Sequence, residues 1–206
     1  MYAPAAFSLP KDEALALAAD IGFGALVTPA PTGLLATHLP FLIETEPLRA
    51  LAHAARANPQ FTPLALPGSE VDALLIVQGP FAYVSPAFYP SKAVHGRVVP
   101  TWNYEAVHLK GRLRALGDPE ATLALVDALT RRHEAERPEP WSVHDAPADY
   151  METMLRGVVG LELRVEEAVG VKKLSQNRAS EDRLGVRRNL AASSRPDDQR
   201  VARDMA

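Results

Sequence analysis

Three alternating apolar runs, at 25–28, 34–43 and 48–53, follow one another too closely for a helix to fit between them. Parallel neighbours need a crossover of about a dozen residues or more, so these runs are expected to pair antiparallel. Pro29, Pro31, Gly33 and Pro47 mark the turns between them. Further strand-length runs lie at 73–77, 81–85, 104–116 and 159–165, with Gly79-Pro80 read as a turn between the first two. In the 104–116 run Val107, Leu109 and Leu113 fall on one face, and His108, Lys110, Arg112 and Arg114 on the other. Helices are expected at 10–20, stopped by Gly22 and Gly24, and from Asp118 as N-cap through Pro119 to about His133. A shorter one runs from Pro147 to Gly157, and the remainder from Ala179 is helical, with Pro196-Asp197-Asp198 as a second start. About seven strands with few helices predict a mainly β (α+β) chain. Its form is a small antiparallel meander or Greek-key barrel with peripheral helices, not a doubly wound parallel sheet.

The chain has 206 residues and no cysteine, which removes disulfides, thiolate nucleophiles and cysteine metal sites together. No apolar run reaches the roughly 18 residues that span a bilayer, and residues 1–20 lack the cationic head and apolar stretch of a signal peptide. A cytoplasmic protein without a membrane partner is expected. The net charge of -3 gives no general argument for nucleic acid, but from Lys172 onward nine Lys and Arg face five Asp and Glu, a local surplus of four. No helix-turn-helix pattern accompanies that surplus. There is no GxSxG elbow and no phosphate-binding P-loop, and the six histidines have no short ligand spacing.

Four stretches concentrate chemistry. Lys172-Lys173-Leu174-Ser175-Gln176-Asn177-Arg178, read as a loop after the last strand, supplies fixed positive charge, amide donor and acceptor groups and a hydroxyl. Such a set suits a phosphorylated heteroaromatic ligand; a solvated basic loop has the same composition. Ala36-Thr37-His38-Leu39-Pro40-Phe41 sends Thr37 and His38 to opposite faces of a strand. In His53-Ala54-Ala55-Arg56-Ala57-Asn58-Pro59, one helical turn would put His53 and Arg56 on a shared face beside free backbone N–H groups, the outline of a phosphate site; an ordinary surface arginine with an Asn-Pro turn has the same sequence. Aromatic residues of 79–86 and 99–104 suit a flat aromatic ligand or form an aromatic mini-core, and they flank a long irregular loop, 85–102, that carries Phe88, Tyr89, Lys92, His95 and Trp102 and is read as ordered against a ligand or partner.

Seven segments occur together and in order: MYxPxxF at 1–7, ATHLPF at 36–41, HxARxNP at 53–59, QGPxAYVSPxxY at 78–89, VPTWNY at 99–104, VHxxGRL at 107–113 and KLSQNR at 173–178. Together they resemble the PaiB-type FMN-binding negative transcriptional regulators. That resemblance implies a six-stranded antiparallel Greek-key split β-barrel that dimerises and holds FMN at the subunit interface. It places a split-barrel domain with inserted helices over 1–170, and a basic motif with a helical tail packed on the same domain over 171–206. Carried over by position, the cofactor-binding candidates are Thr37, His38, His53, Arg56, Asn58, Trp102, Asn103, Lys173, Ser175, Gln176 and Asn177, with Arg56 on the phosphate and aromatic and amide groups along the isoalloxazine ring. The family's Gly-Lys-Phe-Lys-Leu is here Gly170-Val171-Lys172-Lys173-Leu174, and Phe88 stands where a tryptophan is common. The implied function is an FMN-binding homodimer acting in regulation, with DNA or a regulatory protein as possible partner. The alternative is a flavin-dependent split-barrel oxidoreductase, whose redox chemistry would be the cofactor's own.

Overall fold

In the computed structural model, residues 1–205 are described, and they group into two compact units. Unit 2 comprises Ala16–Val77 and His108–Ala168, and unit 1 comprises Met1–Leu15, Gln78–Val107 and the segment from Val169 onward. Seven strands form one sheet: β1 (Ser8–Leu9), β2 (Phe23–Ala30), β3 (Gly33–Thr45), β4 (Leu48–Ala55), β5 (Glu70–Val84), β6 (Thr101–Ala115) and β7 (Val158–Lys173). The strand order is β1-β7-β4-β3-β2-β5-β6, and β6 pairs back onto β7, so six strands form a hydrogen-bonded ring with β1 attached to β7. Every pair whose register is defined is antiparallel, as the short connections require.

Within unit 2 the ring interior is filled by alternate residues, among them Leu26, Leu39, Phe41, Ala50, Ala52, Leu75, Leu109, Leu113, Leu161 and Leu163. Helix α3 (Pro119–Glu134) begins as expected at the Asp118 cap, whose side chain accepts from the Glu120 amide. Its Leu125 and Leu129 pack on Leu51. Helix α4 (Ala148–Arg156) ends at Gly157. Gly111 of β6 leaves room for β7: a Cβ there would lie 1.8 Å from the Arg164 carbonyl oxygen. One buried carboxylate, Glu162 of β7, lies between Arg49 of β4 and Arg114 of β6 at 2.9 Å from each. Burial alone would raise its pKa, but the bonds to Arg114 and Arg49 outweigh that and hold it below the ordinary carboxylate range.

Unit 1 contains the pairing of β1 with β7 (Ser8↔Val171, Leu9↔Gly170) and the helices α5 (Ser180–Ala191) and α6 (Pro196–Asp204). Its apolar centre joins Ala82, Val84, Tyr89 and Leu174 to Val186, Leu190, Val201, Ala202 and Met205. The C-terminal helices are thus part of a core. The first helix of the chain is α1 (Lys11–Ile21). No helix among the described residues is long and apolar enough to cross a membrane.

Three local expectations are corrected. Gly79-Pro80 does not turn the chain, because β5 runs through it. Ala73, Leu75 and Val77 are buried, then Gly79 and Pro80 both are, then Ala82 and Val84, so the alternation slips by one residue as at a bulge. Gly79 fits there because a Cβ would stand 2.9 Å from the Cβ of Glu105. The segment after β5 is not irregular throughout: it holds a 3₁₀ turn, Pro86–Phe88, and a short helix α2, Ser91–His95. It is ordered against the chain's own C-terminal helices, since Tyr89 is buried and Asp182 accepts from both the Ser91 amide (3.1 Å) and its hydroxyl (2.8 Å). Lys172 and Lys173 belong to β7 itself, which extends eight residues past the expected end at Val165.

Candidate functional site

In unit 2, Arg56 follows β4 at the wall of a cavity of about 860 Å³ whose apolar lining includes Phe61, Leu64, Leu116, Leu155 and Val158. One helical turn does not place it there. Arg56 leaves the strand in a turn, and the helical turn comes later, as the 3₁₀ segment Pro59–Leu64. Its backbone N–H is not free either, because it donates to the Gly157 oxygen at 2.8 Å. The guanidinium donates through Nε to the Arg156 oxygen (3.0 Å) and through Nη2 to the Val158 oxygen (2.7 Å). Three consecutive carbonyls therefore hold one residue. Two of the five guanidinium N–H groups are used, and the rest are left on an exposed side chain. The other arginines of the cavity wall are neutralised, Arg114 by Glu162 and Arg156 by Glu152. Among the described residues Arg56 has no carboxylate partner. A fixed, uncompensated guanidinium beside apolar walls suits a phosphate on a largely apolar ligand.

Thr37 and Asn58 close a ring of hydrogen bonds that the sequence did not reveal, through Gln60. Thr37 Oγ1 donates to Gln60 Oε1 (2.6 Å), Asn58 Nδ2 donates to Thr37 Oγ1 (2.8 Å), and the Gln60 amide donates to Asn58 Oδ1 (3.0 Å). Gln60 is 5% exposed, and its Nε2 also donates to the Leu26 (2.9 Å) and Leu35 (3.3 Å) oxygens of the β2–β3 hairpin. The one available signal was the Asn-Pro pair, which announces a cap; the Gln one residue after it has no local signature. His38 points away from this ring, is exposed, and stacks on Phe23 with ring centroids 6.4 Å apart.

His53 lies opposite Gly160 in the β4–β7 ladder, half-buried, with Nδ1 buried and without a partner. Burial holds its pKa below the ordinary value of about 6.5, and His108 is shifted the same way, again chiefly by burial. The unfolded imidazoles therefore take up protons first as pH falls. Their contribution to stability is complete above about pH 6.5 and declines below it. The melting temperature is expected to drop between pH 6.5 and 5.5, and His53→Asn to flatten that slope. A slope in the variant equal to that of the parent would contradict this assignment.

In unit 1, Lys173 donates through Nζ to Thr101 Oγ1 and to the Trp102 oxygen, both at 2.6 Å. Desolvation lowers its pKa, and the positive charge of Arg178 lowers it further. Ser175 adopts a left-handed backbone (φ 62°) and donates to Oδ1 of the fully buried Asn103 at 3.0 Å. Gln176 is exposed but folds back on its own loop, accepting from the Leu174 amide (2.6 Å) and donating to the Lys172 oxygen. Arg178 lies over the Tyr89 ring at 5.1 Å, and Lys172 faces the buried Glu105 at 3.0 Å. Most of this motif is thus satisfied within the chain, while Asn177 stays exposed. Trp102 is 48% exposed and sits against Phe81 (6.1 Å) and Tyr83 (5.6 Å), which the slip at Gly79-Pro80 turns outward. These are flat apolar surfaces facing solvent.

Comparison with known proteins agrees with this architecture. The chain is 31% identical, over 98% of its length and 95% of the other's, to the protease synthase and sporulation protein PAI 2 of Bacillus subtilis. Its fold is shared with the FAD and heme binding protein from Mycobacterium smegmatis (TM-score 0.58, 15% identity, 84% of this chain and 76% of that one). It is shared as well with the flavocytochrome Anf3 from Azotobacter vinelandii (TM-score 0.53, 17% identity, 85% and 74%). Residues 1–167 match the family model described as "Putative FMN-binding domain". The ring of six strands, the match over most of the chain and the full-length likeness to PAI 2 place this protein in the PaiB-type family of FMN-binding domains.

Proposed function

We propose that the protein binds FMN as a homodimer, with the flavin site at the subunit interface, and serves in regulation as a PaiB-type protein. The observation that carries the binding half is Arg56, held by the carbonyls of Arg156 and Val158 with donors to spare and no carboxylate to neutralise it. Family membership supplies the ligand class. Arg56 holds the phosphate, and the apolar wall beside it excludes water from the ligand. FMN, when bound, supplies hydride and single-electron chemistry; the chain's own residues bind and orient it. The name of the Bacillus relative, which ties it to protease synthesis and sporulation, supports a regulatory output over a metabolic one.

Fluorescence titration with FMN and with riboflavin isolates the phosphate. Arg56→Gln is expected to weaken FMN binding about ten- to one-hundred-fold, as for loss of a charge-assisted pair of about 1.5–3 kcal/mol, and to leave riboflavin binding nearly unchanged. A parent protein that binds neither flavin would overturn the reading, and an unchanged FMN affinity in the variant would remove Arg56 from it. Sedimentation of the loaded protein tests the dimer. Anaerobic reduction of the bound flavin by a nicotinamide donor would favour the oxidoreductase reading instead.

A further inference from the structure

Gln60 lies within four residues of the only guanidinium in the cavity wall that lacks a carboxylate, and it does not line that cavity. Its side-chain amide and its backbone N–H are committed to the chain: Nε2 to the Leu26 and Leu35 oxygens, Oε1 to Thr37, and the backbone N–H to Asn58. It is almost fully buried, and a buried side-chain amide with three partners fixes the backbone that carries it far better than an exposed one. Asn58 is the link to Arg56. Its side chain caps the 3₁₀ turn through Gln60, its amide donates to the Ala55 oxygen at 3.0 Å, and Arg56 sits inside the turn so closed. From the other side, Arg56 is held by three carbonyls around Gly157. The turn is therefore gripped at two ends, by the β2–β3 hairpin through Gln60 and by the α4–β7 junction through Arg56 itself.

We propose that Gln60 is a positioning residue for the phosphate-binding arginine, and that Thr37 and Asn58 act on the ligand through it. Gln60 fixes the turn to the hairpin, and the turn delivers the guanidinium at one place on the cavity wall. A misplacement of about 1 Å at a charge-assisted contact is enough to lose most of its contribution. This rests on the assignment of Arg56 to the phosphate, and it predicts a specific signature. Loss of Gln60 reduces discrimination between FMN and riboflavin, whereas general loosening of the fold weakens both ligands alike.

The experiment compares the ratio of FMN to riboflavin affinity in the full-length parent, Arg56→Gln, Gln60→Glu, Thr37→Val and the double variant Arg56→Gln/Thr37→Val. Gln60→Glu keeps the size and loses both Nε2 donors. Thr37→Val keeps the shape and breaks the two bonds of its hydroxyl, and carries the test if the first variant does not accumulate. The ratio is expected to fall at least about threefold in either variant, and Thr37→Val is expected to add nothing once Arg56 is already replaced. A folded Gln60→Glu or Thr37→Val protein with the parental ratio overturns the proposal while leaving Arg56 on the phosphate. An unchanged ratio in Arg56→Gln overturns the earlier assignment and the proposal with it.

Discussion

Gly111→Ala is expected to destabilise the protein by about 3 kcal/mol or more and to leave little of it soluble. The added Cβ would stand 1.8 Å from the Arg164 oxygen and 2.9 Å from the Arg164 carbonyl carbon, and the obstacle is backbone, which has no rotamer by which to yield. Strand β6 would have to withdraw from β7 at the one pairing that turns an open order of strands into a ring. The control is Gly117→Ala, only six residues along, where nothing lies within 4 Å and stability is expected to be unchanged or slightly raised. Soluble yield and urea unfolding of both variants make the comparison. Equal midpoints would show that β6 and β7 do not approach as described.

Glu162→Ala is expected to cost about 2–3 kcal/mol, seen as a fall of roughly 5–10 °C in the melting temperature at neutral pH. The carboxylate is 8% exposed at its side chain and is held by arginines from two other strands, so its removal unlinks β4, β7 and β6 together. The figure sits below that for a fully buried pair because Arg49 and Arg114 are 30% and 51% exposed, and because Arg49 keeps Glu44 at 2.7 Å. The pKa of Glu162 is depressed in the folded state, so its contribution is present above the ordinary carboxylate range and is lost as pH falls through the folded value. The difference between parent and variant is therefore expected to shrink on acidification below about pH 4. A difference that persisted unchanged there would mean that packing, not charge, accounts for the loss.

Much of the ring was legible because its strands announce themselves by alternation and its turns by Pro and Gly. The Asp118-Pro119 start of α3 was legible for the same local reason. Gly79-Pro80 was misread because one dipeptide serves both a turn and a bulge, and only the partner strand at Glu105 decides between them. The two-residue strand β1 has no period to detect. At the candidate site, the motif containing Arg56 stood out by composition, but the identity of its partners did not. Those partners are main-chain oxygens about a hundred residues later, and main-chain oxygens carry no sequence signal. Gln60 and Glu162 escaped for a related reason: each takes its meaning from strands distant in the chain.

Unit 1 is assembled from the first residues, a middle stretch and the last ones, with Val201 and Met205 packed beside Val84 and Tyr89. Its centre cannot be completed until translation has delivered α6. During synthesis the apolar sides of Ala82, Val84 and Tyr89 must wait uncovered for more than a hundred codons, from Tyr89 to Met205, and a nascent chain in that condition is a natural client for a chaperone.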